Sequence, residues 1–277
     1  MRWLAPAKIN LSLRVLGRRA DGFHELRSLM APVSVFDELL FSHKEEGDLE
    51  FFCNVPEVPA DESNLVVRAV RLFCGSVGIL PRLSVSLKKE IPHGAGLGGG
   101  SSDAATTLLA LDSLYQTGLP RSVLAEMAAQ IGSDVPFFVY QSAAWICGRG
   151  EHVEPVKVLP SFPLLLIKPH FGVSTPWAFR NWKSASEIPG VPYGEQLENG
   201  VVFVNDLERP VFEKYLFLAD LKQWLLGRSG VRAALMSGSG STVFAVLSHR
   251  EDGFSLGEEI MKEFGDALWL YVCETLP

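Results

Sequence analysis

PHGAGLGGGSS, residues Pro92–Ser102, is the stretch whose reading decides the fold. Six of its last seven residues are glycine or serine. It lies between a strand-like run, Leu83 to Leu87, and a helix-like run, Asp103 to Tyr115. A glycine-rich turn entering a helix suits anionic groups. Its backbone can come close and point several N–H groups one way, and the helix N-terminus adds partial positive charge. This predicts a cradle for nucleotide phosphates. Gly94, Gly96 and Gly99 also satisfy G-x-G-x-x-G. A dinucleotide site would need a second strand after the helix, but Thr117-Gly118-Leu119-Pro120 leads into another helical pattern. A P-loop would need a closing Lys-Ser or Lys-Thr, and a protein kinase would need HRD and DFG tripeptides; none is present. The plain alternative is a loop that only turns a corner.

The 277 residues, 47% hydrophobic and 21% charged, are enough for one large or two moderate domains with a real core. A net charge of −7 argues against nucleic acid as a partner but leaves room for a small anionic substrate. Four cysteines without CxxC spacing favour reduced thiols and a cytoplasmic protein. The N-terminus is not a signal peptide, because Lys8 and Asn10 interrupt its apolar stretch, and no run reaches the length of a membrane span.

Along the chain, Ala7 to Val15 alternates, which predicts a half-buried strand with Lys8 and Asn10 on one face, roughly 7 Å apart. Both residues could equally be solvated. The Asp21-Gly22 turn is followed by Phe23 and His24, an aromatic face beside a hydrogen-bonding ring. A helix from Leu65 takes its N-cap from Asp61, Ser63 or Asn64. Lys88 and Lys89 are the cations nearest the cradle, facing phosphates or merely solvating a strand end. Ser101 or Ser102 is expected to cap the next helix, with Asp103 in its first turn. After a helix over 121–131, Asp134 leads into an apolar run and is either a general base or a helix start. Gly148–Glu151 reads as a tight turn. The proline-rich 155–163 segment marks a boundary between domains 1–158 and 159–277. Lys168–Phe179 reads as a loop, 183–200 as irregular, and Asn205–Leu226 as largely helical. Ser237–Ser241 is a second glycine-serine loop, closing over an anion or simply turning a hairpin.

Taken together, PAKINL (Pro6–Leu11), RADGFHEL (Arg19–Leu26), PHGAGLGGGSSDAA (Pro92–Ala105), GSDVPFF (Gly132–Phe138), GRGE (Gly148–Glu151) and SGSGST (Ser237–Thr242) resemble the GHMP small-molecule kinases. Within that family they are most similar to the branch acting on a cytidine-diphosphate-linked methylerythritol in non-mevalonate isoprenoid synthesis. Phe23 replaces a usual tyrosine, and Ser133 a frequent alanine. The resemblance implies an α/β (α+β) fold of two domains with the active site in the cleft between them. The N-terminal domain would be ribosomal-protein-S5-domain-2-like, the C-terminal one an α/β sandwich. The implied reaction is ATP-dependent phosphorylation of the substrate's 2-hydroxyl.

The same resemblance implies roles for individual residues. Asp134 would be the general base and Lys8 its electrostatic partner. Pro92, His93, Gly94, Ala95, Gly96, Leu97, Gly98, Gly99, Gly100, Ser101 and Ser102 would hold ATP, with Asn64 and Lys89 towards the adenine. Phe23 and Phe179 would sandwich the cytosine, His24 would read its edge, and Asn10 would help place the substrate. Magnesium would accompany ATP, through Ser101 or Ser102 if any side chain meets it. The working form would be a monomer or weak homodimer, with neither nucleic acid nor membrane as partner. Another GHMP kinase, acting on homoserine, mevalonate or a sugar, is the alternative, as is a catalytically silent nucleotide-binding protein.

Overall fold

The computed structural model describes residues 1–277. The long strands β1 (Arg2–Arg18) and β2 (His24–His43) form an antiparallel hairpin around the turn at Asp21–Gly22. β3 (Glu50–Cys53), α1 (Leu65–Val77), β4 (Leu83–Lys88), α2 (Gly99–Tyr115), α3 (Arg121–Ile131) and α4 (Val135–Tyr140) follow, then the hairpin β5 (Ala144–Gly148) and β6 (His152–Pro155). Beyond residue 158 come β7 (Pro163–Pro169), α5 (Thr175–Asn181), β8 (Gln196–Glu198), β9 (Val201–Asn205), α6 (Glu208–Lys214) and α7 (Leu216–Leu226). β10 (Val231–Met236), β11 (Val243–Leu247), α8 (Asp252–Phe264) and β12 (Leu268–Glu274) complete the chain.

The first sheet runs β3-β4-β2-β1-β9-β8, with β5 and β6 also attached through β2; the second runs β10-β11-β7-β12. β8 and β9 therefore return from beyond residue 158 to the edge of the first sheet. Helices α1 to α4 cover one face of that sheet around Phe73, Leu108 and Phe137. The second sheet covers the other face. Leu164 and Leu166 of β7 point to Ile9 and Leu11, while Leu165 and Ile167 point the opposite way, to Leu218 and Ile260 under α7 and α8. This two-sided burial is why β7 reads as an uninterrupted apolar run. No helix is long and apolar enough to cross a membrane.

β1 departs from the expected half-buried strand. Residues Ala7 to Leu13 are all buried, the polar ones included. Irregularities in its pairing with β2 fall at Pro6/Ala7 and Asn10/Ser12. Bulges of this kind re-aim side chains. Ala5 joins the first core, Ala7 to Leu11 the second, and Leu13 and Val15 the third. One other reading is corrected. Lys168–Phe179 is not all loop, because Pro176 sits at the start of α5, where its missing N–H costs nothing. Asn205–Leu226 is largely helical as expected: after Asn205, the end of β9, it holds α6 and α7, separated at Tyr215.

Candidate active site

The glycine loop is built by alternation. Gly94, Gly96 and Gly98 have φ of +62°, +77° and +70°, while Ala95 and Leu97 between them are buried in the core between the sheets. Such alternation turns successive N–H groups towards one side, a concavity suited to anions. Close approach also demands glycine here. A Cβ on Gly96 would lie 2.3 Å from the Ser237 carbonyl oxygen, and one on Gly98 would lie 2.9 Å from the Phe138 ring and 3.0 Å from Lys8. Lys8 N–H donates to the Leu97 carbonyl (2.9 Å), Thr242 N–H to the Ala95 carbonyl (3.1 Å), and Ser237 Oγ to the Gly96 carbonyl (2.9 Å). The loop is thus docked on β1 and on the second glycine-serine loop, which is more than a hairpin turn.

The helix after it starts earlier than expected. α2 begins at Gly99 with left-handed Gly98 as its N-cap and no capping side chain. Ser101 and Ser102 are already helical and cap nothing; Asp103 lies beyond the first turn. Ser102 Oγ and Asp103 Oδ1 are buried without a hydrogen-bond partner. Asn64, by contrast, is the N-cap of α1, accepting from Val66 N–H and donating to the Pro59 carbonyl. Lys89 places its ammonium between Asp37 and Asp103, the latter at 2.7 Å, beneath Gly99. Neither Asn64 nor Lys89 lines the cleft. Their side chains are already committed within the protein. Burial, offset in part by Lys89 and reinforced by Asp37, pushes the Asp103 carboxyl up to about 8.

At the centre of the cleft Lys8 Nζ donates to Asn10 Oδ1 (2.7 Å), and Asn10 Nδ2 donates to Ser28 Oγ (2.8 Å). Lys8 Nζ lies 3.7 Å from Asp134 Oδ2. The lysine side chain is 5% exposed and the aspartate 45%, so the base candidate opens to the cleft while its cation is enclosed. Burial lowers the Lys8 pKa, and Asp134 partly opposes this. Asp134 occupies the N-cap position of α4 but makes no capping bond, which leaves its carboxylate free for chemistry. The turn Gly148–Glu151 lies behind it. A Cβ on Gly150 would sit 2.9 Å from the Ser133 carbonyl oxygen, and Glu151 accepts from Arg149 N–H (2.6 Å).

The far end of the cleft is aromatic. His24 stacks on Phe179 with centroids 5.3 Å apart and meets the Trp182 ring edge to face, 6.2 Å away. Phe23 is half exposed, and the Arg149 guanidinium lies over its ring at 5.3 Å. Burial, and then the charge of Arg18, lowers the His24 pKa. The structure therefore brings Phe23, His24 and Phe179 together, with the direct stack between His24 and Phe179. The cleft encloses about 560 Å3 and holds Lys8, Asn10, Asp134, Gly96, Gly98 and this aromatic group in its walls.

Comparison with known proteins then gives the family. The GHMP kinases N terminal domain family matches residues 64–142, and the GHMP kinases C terminal family matches 194–267. The chain is 41% identical to the 4-diphosphocytidyl-2-C-methyl-D-erythritol kinase of Methylacidiphilum infernorum, covering 98% of this chain and 96% of the relative. It is 40% identical to the enzyme of the same name from Syntrophotalea carbinolica, covering 95% of each. The chain belongs to the 4-diphosphocytidyl-2-C-methyl-D-erythritol kinase family. A crystal structure of 4-(cytidine 5'-diphospho)-2C-methyl-D-erythritol kinase superposes with a TM-score of 0.83 over the full length of both chains at 35% identity. A homoserine kinase from Cytophaga hutchinsonii, at 19% identity and a TM-score of 0.67, shares the fold.

For this kinase family the sequence reading left several cleft residues unassigned. Ser28, Arg18, Arg180 and Leu207 line the cleft beside the expected residues. Arg149 was visible in the GRGE motif, but nothing local ties it to Phe23, 126 positions earlier (149 − 23). Ser28 hides in an ordinary strand and reaches the site only because β2 pairs with β1.

Proposed function

We propose that the cleft transfers the γ-phosphoryl group of ATP to the 2-hydroxyl of 4-diphosphocytidyl-2-C-methyl-D-erythritol, giving the 2-phosphate and ADP on the route to isoprenoid precursors. The observation carrying this is the Lys8–Asp134 pair, 3.7 Å apart, between a glycine loop on one side and a group of stackable rings on the other.

An alcohol is a weak nucleophile at neutral pH, and a carboxylate within hydrogen-bond reach can accept its proton as the O–P bond forms. Asp134 takes that role. The Lys8 ammonium, held on Asn10 and shut away from water, offsets charge on the transferring group. Phosphoryl transfer has a loose transition state, so positioning and electrostatics carry most of the catalysis. The Gly94–Ser102 backbone receives the β- and γ-phosphates. A magnesium ion arriving with ATP would supply further charge neutralisation. No cluster of three metal-binding side chains exists, and fully buried Ser102 leaves half-buried Ser101 as the accessible hydroxyl of the loop. Cytosine enters between Phe23 and Phe179, with His24 turning from Phe179 to read its edge. Stacking accepts any base, and the edge contacts select cytosine.

The free cysteines and acidic balance fit a cytoplasmic enzyme with small-molecule substrates only. The cleft is complete within one chain, which fits a monomer or weak homodimer. The test is ADP release with ATP and magnesium across the cytidine substrate, homoserine, mevalonate and galactose. The cytidine substrate should lead in kcat/KM by roughly 10²-fold or more. Faster turnover of another alcohol would reassign the substrate, and ATP binding without any turnover would make the protein a silent binder.

A further inference from the structure

The segment Asn205-Asp206-Leu207-Glu208 stands at the junction of β9 and α6 and makes bonds in three directions. Asn205, 3% exposed, donates from Nδ2 to both the Met236 and Gly238 carbonyls at 2.7 Å, while its Oδ1 accepts from Leu207 N–H at 2.9 Å. Asp206 accepts from Arg14 and from Val15 N–H, and its own N–H donates to the Leu13 carbonyl, fixing the far end of β1. Glu208, fully buried, accepts from Met236 N–H at 2.9 Å and from Lys222 at 2.6 Å; Lys222 also donates to the Pro192 carbonyl. Leu207 lines the cleft.

The Asn205 and Glu208 bonds converge on one piece of backbone, Met236–Gly238. That backbone abuts the chemistry. A Cβ on Gly238 would be 3.3 Å from Asn10 Oδ1 and 3.4 Å from Lys8 Nζ, and Ser237 holds the Gly96 carbonyl of the phosphate loop. A buried ion pair and an amide with both functions satisfied are a costly way to hold an ordinary hairpin turn. They suit a turn whose position sets something else. We propose that Asn205, supported by the Glu208–Lys222 pair, is a positioning residue: it fixes the 237–238 backbone, which in turn fixes the Lys8 ammonium against Asn10 and seats the glycine loop. This rests on the kinase reading above. Asn205 touches no reacting atom and acts through Gly238.

Asn205→Asp is the informative substitution, because it keeps the shape and turns a donor towards two carbonyls into an acceptor. Two readouts are taken on the full chain. In steady-state kinetics, kcat falls at least about tenfold while KM for the cytidine substrate stays within about threefold. In amide exchange, protection drops at 237–241 and 94–98 and is retained in α7 and β7. A folded variant with wild-type kcat, or with unchanged exchange at 237–241, overturns the proposal. If Asn205→Asp does not fold, Asn205→Ser, a shorter donor, is judged on the same two thresholds. If the wild type prefers another alcohol, the substrate assignment fails and the kinetic readout moves to that alcohol. If it turns over none, the exchange readout decides.

Discussion

Phe179 stacks on His24 with its ring 5.3 Å away, and both line the same end of the cleft as Phe23. If the cytosine takes the place of His24 against Phe179, removing that ring removes one stacking face. Base–aromatic stacking contributes about 1–3 kcal/mol, so Phe179→Ala should raise KM for the cytidine substrate roughly 10- to 100-fold with kcat little changed. Steady-state kinetics at varied substrate checks this, and an unaltered KM would remove Phe179 from the site. At this scale the sequence was most legible where a residue type is forced. Gly94, Gly96 and Gly98 stand out because all three have positive φ, and close contacts also exclude a side chain at Gly96 and Gly98. It was least legible where a partner comes from far along the chain. Lys89 looks free until Asp37, 52 positions earlier (89 − 37), is folded beside it.

At the scale of elements, Lys89, Asp37 and Asp103 tie the end of β4 to β2 and α2 under the glycine loop. Asp103 holds its proton up to about 8 in the folded chain, against an ordinary 3.8, chiefly because it is buried. Between those values the folded state carries a proton that the unfolded state has released. Raising the pH therefore favours unfolding, by at most about 1.4 kcal/mol per unit, and the loss levels off above about 8. Denaturant unfolding at stepped pH should show wild type losing stability relative to Asp103→Asn from about pH 4 to 8. Parallel curves would show that the pair is ionised differently. Periodicity gave the long elements, α1 and α3 among them, but not the bulges of β1. Those follow from pairing with β2 and from three separate cores competing for one strand. α5 was read as loop because Pro176 looks like a breaker, though a proline in the first turn of a helix breaks nothing.

At the scale of the whole molecule, the core between the sheets draws on Ile9 and Leu11 from one end of the chain and on Phe162, Phe203 and Phe244 from the other. Strand β9 carries this joining, since it pairs with β1 and buries Phe203 against Phe162 and Phe244. The chain should therefore unfold in one transition, and Phe203→Ala should lower that transition by about 3–5 kcal/mol without splitting it. Two resolved transitions in calorimetry would mean the halves are independent. The proline-rich segment near residue 158 does separate the first sheet's early strands from β7. No local signal shows that residues 196–205 return across that point, because strand pairing is a property of the whole chain.

The site joins these scales: Lys8 and Asn10 come from β1, Asp134 from the start of α4, the glycine loop from the β4–α2 connection, and Phe179 from α5. The most direct test is the rate of ADP release from ATP and magnesium with the cytidine-diphosphate methylerythritol, comparing wild type with Asp134→Asn. We expect cytidine-dependent turnover by the wild type and a kcat lower by about 10²–10⁴ in the variant, with KM for the alcohol retained. A folded Asp134→Asn protein that turns over at the wild-type rate would contradict the assignment of Asp134 as the base.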